Sequence, residues 1–156
     1  MGTNGKVDVR DLKEFRRKIE QTLGKGQVDQ FIDSCAKELA ARLLAKVVKR
    51  TPVGQYPASS GKKGGTLRRG WTGGKGQPAS TYANSLKVNH FGNAYVIEII
   101  NPVEYASYVE FGHRTRGGDG WVEGKFMLTI SEDEVKRDAP RVLQNKLKKK
   151  LGECFK

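Results

Sequence analysis

The sequence is poor in everything that marks a secreted, zinc-bound or membrane-inserted chain. Its two cysteines, Cys35 and Cys154, stand far apart and outside any CxxC spacing, which argues against a disulfide framework or a zinc site and makes reduced thiols the expectation. The two histidines, His90 and His113, have no second histidine or cysteine beside them, so a metal centre built on them lacks ligands. No apolar run reaches the length of a membrane span. The opening stretch MGTNGKVDVRDLKEF holds no signal-peptide core, and Lys6 stands where a myristoylation signal needs Ser or Thr. The reading is an intracellular chain with no membrane partner. Acidic residues are also scarce: 17 Asp and Glu face 29 Lys and Arg, a net charge of +12 at pH 7, and this excess points to a polyanionic neighbour.

What is present suits one globular domain, 1–156, because a chain of this length buries about 68–70% of its unfolded surface. Asp8 is placed to cap a helix over 8–23, with Leu12, Phe15, Ile19 and Leu23 at helical spacing and Gly24 at its end. A longer helix is expected over 29–49. Ile32, Cys35, Leu39, Leu43 and Val47 form its stripe, and Thr51-Pro52 closes it, because the residue before proline disfavours the helical conformation. Residues 52–81 read as a basic flexible loop broken only by the brief TLRRGW.

The sheet signal lies within 82–130. Leu86, Val88 and His90 alternate with polar residues, Gly92-Asn93 supplies a turn, and AYVIEII follows, so a β-hairpin is expected. Asn101-Pro102 then opens a helix over 102–111, with Val103, Ala106 and Val109 on one face and Gly112 as its stop. The glycine-rich arm GHRTRGGDG at 112–120 leads to WVEGKFML, read as a returning strand. Ser131 and Glu134 form a capping box for a terminal helix over 131–152. Pro140 should kink or split it, with Val142 or Leu143, Leu147 and Leu151 anchoring the second part and Lys146, Lys148, Lys149 and Lys150 mostly in water. The fold class is therefore α+β: a small antiparallel β-sheet packed against a long N-terminal helix and a C-terminal helix, with long Gly-rich loops.

Motifs for catalysis fail on context. Gly74, Gly76 and Ala79 match a minimal dinucleotide-binding pattern, but no strand runs into them and Pro78 removes a backbone donor. GKKGGT has P-loop composition without P-loop spacing. Glu123-Gly124-Lys125, with Glu104 or Glu110, imitates the carboxylates and lysine of a Mg²⁺-dependent nuclease, yet no Asp precedes it on an apolar strand and such short matches arise by chance. No cofactor and no catalytic residue is expected.

The segments TLRRGW, INPVEYASYVEFGHRTRGG and WVEGKFML resemble the gene-ten-product-like family of neck and tail-completion proteins of long-tailed bacteriophages and prophages. The resemblance is carried by Thr51, Pro52 and Val53, by Leu67, Arg68 and Trp71, by Tyr105, Ala106, Val109, Glu110, Phe111, Gly112, His113 and Arg114, and by Trp121, Val122, Gly124, Phe126, Met127 and Leu128. Where many members pass almost directly from T-P-V to the L-R segment, this chain inserts GQYPASSGKKGG. The resemblance implies a virion structural protein without catalysis. Such a protein forms a homo-oligomeric ring, expected as a hexamer, that contacts connector or head-completion proteins and tail proteins and is threaded by genomic DNA.

On that reading the arm is an assembly element, without fixed order in the free subunit, and Tyr108, Glu110, His113, Arg114, Arg116 and Trp121 form the subunit or partner interface. Lys62, Lys63, Arg68, Arg69 and Lys75 are the DNA-facing candidates, meeting phosphates without sequence preference. Phe111 and Phe126 are expected in the core. A basic DNA-binding module, with Tyr105, Tyr108, Phe111, Trp121 and Phe126 as base-stacking aromatics, is the alternative, and a nuclease the next.

Overall fold

The computed structural model describes residues 3–8 and 24–154. Helix α1 (Lys25–Arg50) is the pillar, starting four residues before the expected position. Every residue of its anticipated stripe is buried, and Phe31, Ala36, Ala40 and Leu44 widen that stripe into most of the core. Burial of each large apolar side chain stabilises by roughly 1.5–3 kcal/mol. The helix stops where proline dictates: Thr51 is extended, with ψ 125°, and both its N–H and its hydroxyl donate to the Val47 carbonyl, at 2.9 and 2.6 Å.

Residues 52–81 are not one continuous loop. A short 3-10 turn at Ala58–Ser60 precedes helix α2 (Thr66–Gly70), and helix α3 (Ala79–Ser85) begins before the segment ends. The cause of order here is Trp71. It is fully buried and its indole N–H donates to Thr51 Oγ1 at 2.8 Å, while the Arg68 guanidinium donates twice to the Thr51 carbonyl, at 3.2 and 2.7 Å. A buried indole nitrogen needs such a partner.

The hairpin forms with a shorter first strand than expected. Strand β1 (Thr3–Asp8), strand β2 (Asn89–Phe91) and strand β3 (Ala94–Asn101) make an antiparallel sheet in the order β1-β3-β2, with Thr3 opposite Asn101 and Asn89 opposite Val96. Gly92 takes the positive φ, 58°, that the turn requires. Tyr82 and Ala83, expected at the start of the strand region, lie on α3, where Ala83 is buried against α1. Asp8 is the last residue of β1, and the rest of the anticipated 8–23 helix, with the capping role expected of Asp8, lies outside the described residues. Along β3 the buried residues Tyr95, Ile97, Ile99 and Asn101 alternate with more exposed ones, and this strand packs on α1.

Helix α4 (Ala106–Phe111), strand β4 (Gly112–Arg114), strand β5 (Trp121–Glu123) and helix α5 (Met127–Cys154) complete the chain. The last helix continues through Pro140, so of the expected kink or split the split does not occur. It begins at Met127 and not at Ser131, whose hydroxyl donates back to the Met127 carbonyl at 2.6 Å. Glu134 does not close a capping box either. It bridges to α1 through Lys46 at 3.1 Å and Arg50 at 2.7 Å. Further along the same seam Lys146, expected in water, reaches Glu38 at 2.8 Å.

Candidate functional site

The arm and its surroundings are positioned from Asn101 outward. This buried residue ends β3; its amide donates to the Leu67 carbonyl at 2.8 Å, and its Oδ1 accepts from Val103 N–H at 3.2 Å. The result is a turn on which α4 starts at Ala106, four residues later than the N-cap reading of Asn101 requires. Gly70 permits the approach, because a Cβ there would overlap Asn101 Oδ1.

Glu110 is the anchor of the region. It is fully buried, and its carboxylate accepts from Leu128 N–H at 3.0 Å, Thr129 N–H at 2.9 Å and the Thr129 hydroxyl at 2.8 Å. It thereby caps the first turn of α5 from another element, where orphan amides and the helix dipole both favour a carboxylate. This corrects the expectation that Glu110 faces a neighbouring subunit. Among the described residues no group of three or more His, Cys, Asp or Glu side chains is arranged to hold a metal.

The arm itself is ordered as a hairpin, where no fixed structure was expected. Strands β4 and β5 pair antiparallel, Arg114 opposite Trp121 and His113 opposite Val122. Thr115 N–H donates to the Gly120 carbonyl at 3.0 Å and Gly118 N–H to the Thr115 carbonyl at 2.8 Å. Gly112 has φ 87° and lies so close to the Val122 carbonyl that a Cβ would overlap it. The return is fixed to α4 by Lys125 N–H on the Val109 carbonyl, 2.7 Å, and Phe126 N–H on the Glu110 carbonyl, 3.0 Å.

Among the described residues this lobe carries most of the exposed aromatic surface. Tyr108 is 57%, Phe111 58% and Trp121 55% exposed, and Tyr105, Val122, Phe126 and Ile130 add to it. Phe111 and Phe126 therefore leave the core in which they were expected. The inward face of α4 is filled by Ala106 and Glu110, which turns Phe111 outward, and Phe126, with φ 46°, sits in the turn before α5. Arg114 and Arg116 are exposed; His113 is half-buried, its ring centroid 5.8 Å from that of Tyr108, and its Nδ1 is buried without a hydrogen-bond partner.

The DNA-facing candidates separate. Lys62, Lys63 and Lys75 are exposed, the first with its ammonium 5.9 Å from the Tyr56 ring centre. Arg68 is engaged with Thr51, and Arg69 donates to the Gly64 carbonyl at 3.3 Å. Titratable groups elsewhere are structural. Burial pushes the Cys35 thiol up to about 12, keeping it protonated and inert. Hydrogen bonds from Arg50 and then Lys46 hold Glu134 below the usual carboxylate range; burial alone would raise Glu38, but Lys146 and Arg42 outweigh it and lower the group.

Comparison with curated proteins and with solved structures gives no match. Comparison with protein families does: residues 13–112, about two thirds of the chain, match the family described as "Bacteriophage HK97-gp10, putative tail-component". That span takes in α1, Trp71, strands β2 and β3, α4 and the start of the arm, and on it the chain belongs to the HK97 gp10-like family of bacteriophage tail components.

Proposed function

We propose that this tail component is the subunit of a ring, a hexamer, that completes a long phage tail and joins it to the head. The observation that carries the reading is the arm lobe: a hydrogen-bonded hairpin that projects beyond α4 with Trp121, Tyr108 and Phe111 exposed and Arg114 and Arg116 beside them. Exposed aromatics with arginine are the composition of a binding surface, and a projecting element is what a heterologous, ring-closing contact needs. The partners are copies of the same chain, connector or head-completion proteins on one side and tail proteins on the other, with the genome passing through. The role is structural, exercised in the virion, and no catalytic step belongs to it. The net charge of +12 favours a second reading, a basic module whose main work is on DNA.

The test is Trp121→Ala together with Arg114→Ala and Arg116→Ala. None of the three is buried, so the subunit is expected to unfold within a few degrees of the parent, while electron microscopy of lysates shows heads and tails that fail to join. Joined particles at normal yield would refute the assembly role of the arm.

A further inference from the structure

We infer that the outward face of α5 is a duplex-DNA backbone site. The inference deepens the proposed role by giving the genome contact an address, and it takes the identity of the polyanion from that reading. Two acids are taken up in the seam with α1, where Glu134 holds Lys46 and Arg50 and Glu38 holds Lys146, while Asp133 and Asp138 on the first half of α5 and Glu153 at its end offset part of its positive charge. The face turned away is left basic. Lys136, Arg137, Arg141, Lys148, Lys149 and Lys150 are exposed or half-buried, and their only ion pair with a described carboxylate is a loose one, Arg141 to Asp138 at 3.9 Å. The loop candidates are weaker, since Arg68 and Arg69 already hold backbone carbonyls.

Spacing and shape select the partner. Arg137, Arg141, Gln144 and Lys148 follow one another at i, i+4, i+7 and i+11, a single stripe on a rigid rod about 16 Å long at 1.5 Å per residue. Beside its end a groove of about 440 Å³ opens between α5 and the start of α1, where Lys146, Lys149 and Lys150 outnumber the one carboxylate, Glu153, and Gln27, Gln30 and Ser34 add neutral polar groups. Beyond Ile130 the helix exposes no aromatic, so it can hold phosphates but cannot stack bases, which favours duplex over single strand. Its apolar face, Val135, Val142 and their neighbours, is buried in the core and cannot enter a lipid surface. Protein contacts on the arm lobe and phosphate contacts on α5 thus use different elements.

Fluorescence anisotropy of a 30-bp duplex with the purified chain, from about 25 to 200 mM salt, tests this. The triple variant Arg137→Gln, Arg141→Gln, Lys148→Gln should bind at least about tenfold more weakly, and the slope of log K on log salt should flatten by about 0.9 for each phosphate that the variant no longer neutralises. Lys62→Gln, Lys63→Gln, Lys75→Gln should change both by less than about twofold. The site is refuted if the triple variant keeps the parent slope, if the loop variant matches it, if the parent does not bind duplex, or if single-stranded DNA or polyglutamate of equal charge binds as tightly. Native mass of the same samples reads the ring separately. Oligomers that persist in Trp121→Ala while the triple variant still flattens the slope fail the arm as the ring contact and support the α5 site, whereas loss of oligomers in Trp121→Ala with a slope that only the triple variant flattens supports both.

Discussion

At the scale of single residues, the arm depends on a carboxylate that never reaches the surface. Glu110 satisfies two first-turn amides and a hydroxyl of α5, so truncating it leaves buried donors without an acceptor, which costs more than the bond itself contributed. Glu110→Ala is expected to lower stability in urea unfolding by about 2–4 kcal/mol, with Glu110→Gln in between because one acceptor oxygen survives. A loss below about 0.5 kcal/mol for the alanine variant would show that water replaces the carboxylate freely. No local pattern announces this role. Glu110 and its partners are separated by 18 and 19 residues, and Trp71 and Thr51 by 20, so a capping rule read along the chain found Ser131 and Glu134 and missed the residue that caps. The placement of Phe111 failed for a related reason: six residues of helix have room for one small inward face, and Ala106 with Glu110 occupies it.

At the scale of elements, what could be read was what repeats. The apolar stripe of α1 continues from Val28 to Val47 and outweighs the missing side-chain cap at its start, and β3 alternates cleanly up to Asn101. The turn chemistry of Gly92-Asn93 and the stop at Thr51-Pro52 are local, and both formed as the sequence suggested. Short α3 and β1 carry too few residues for a period to emerge, and Pro140 is tolerated because α5 is held on both sides of it by ion pairs with α1. That seam titrates. Glu134 and Glu38 have folded-state values below the ordinary one, so their contribution is present above the unfolded carboxylate value of about 4.3 and is lost as pH falls through the lowered folded values. The stability difference between the parent and Glu134→Gln should accordingly be largest near neutrality and shrink toward zero as pH falls through the lowered folded value, followed by denaturant unfolding at each pH. A difference that stays constant across that range would mean that Glu134 acts through packing and not through its charge.

At the scale of the whole molecule, charge is distributed so that attraction is short-ranged and repulsion long-ranged. The opposite charges meet across the α1–α5 seam at 2.7 to 3.1 Å, while in a chain of net charge +12 the cations outside that seam include, among the described residues, Lys62, Lys63 and Lys75, Arg114 and Arg116 of the arm, and those on the outer face of α5. Salt acts on these two terms unequally. Raising ionic strength from about 0.01 to 0.15 M shortens the screening length from about 30 to 8 Å, which removes most repulsion between distant surface cations and leaves partly buried contact pairs largely intact. The isolated subunit, kept dilute and confirmed monomeric by native mass, should therefore melt higher in the more saline buffer, by roughly 2–4 °C, the equivalent of about 1 kcal/mol in a chain of this size. The triple glutamine variant of the α5 face carries three fewer positive charges and should show a smaller rise from a higher starting point. If the parent instead melts lower in salt, the seam pairs dominate its electrostatics, and the picture of a self-repelling subunit that waits for a polyanion to neutralise it is wrong.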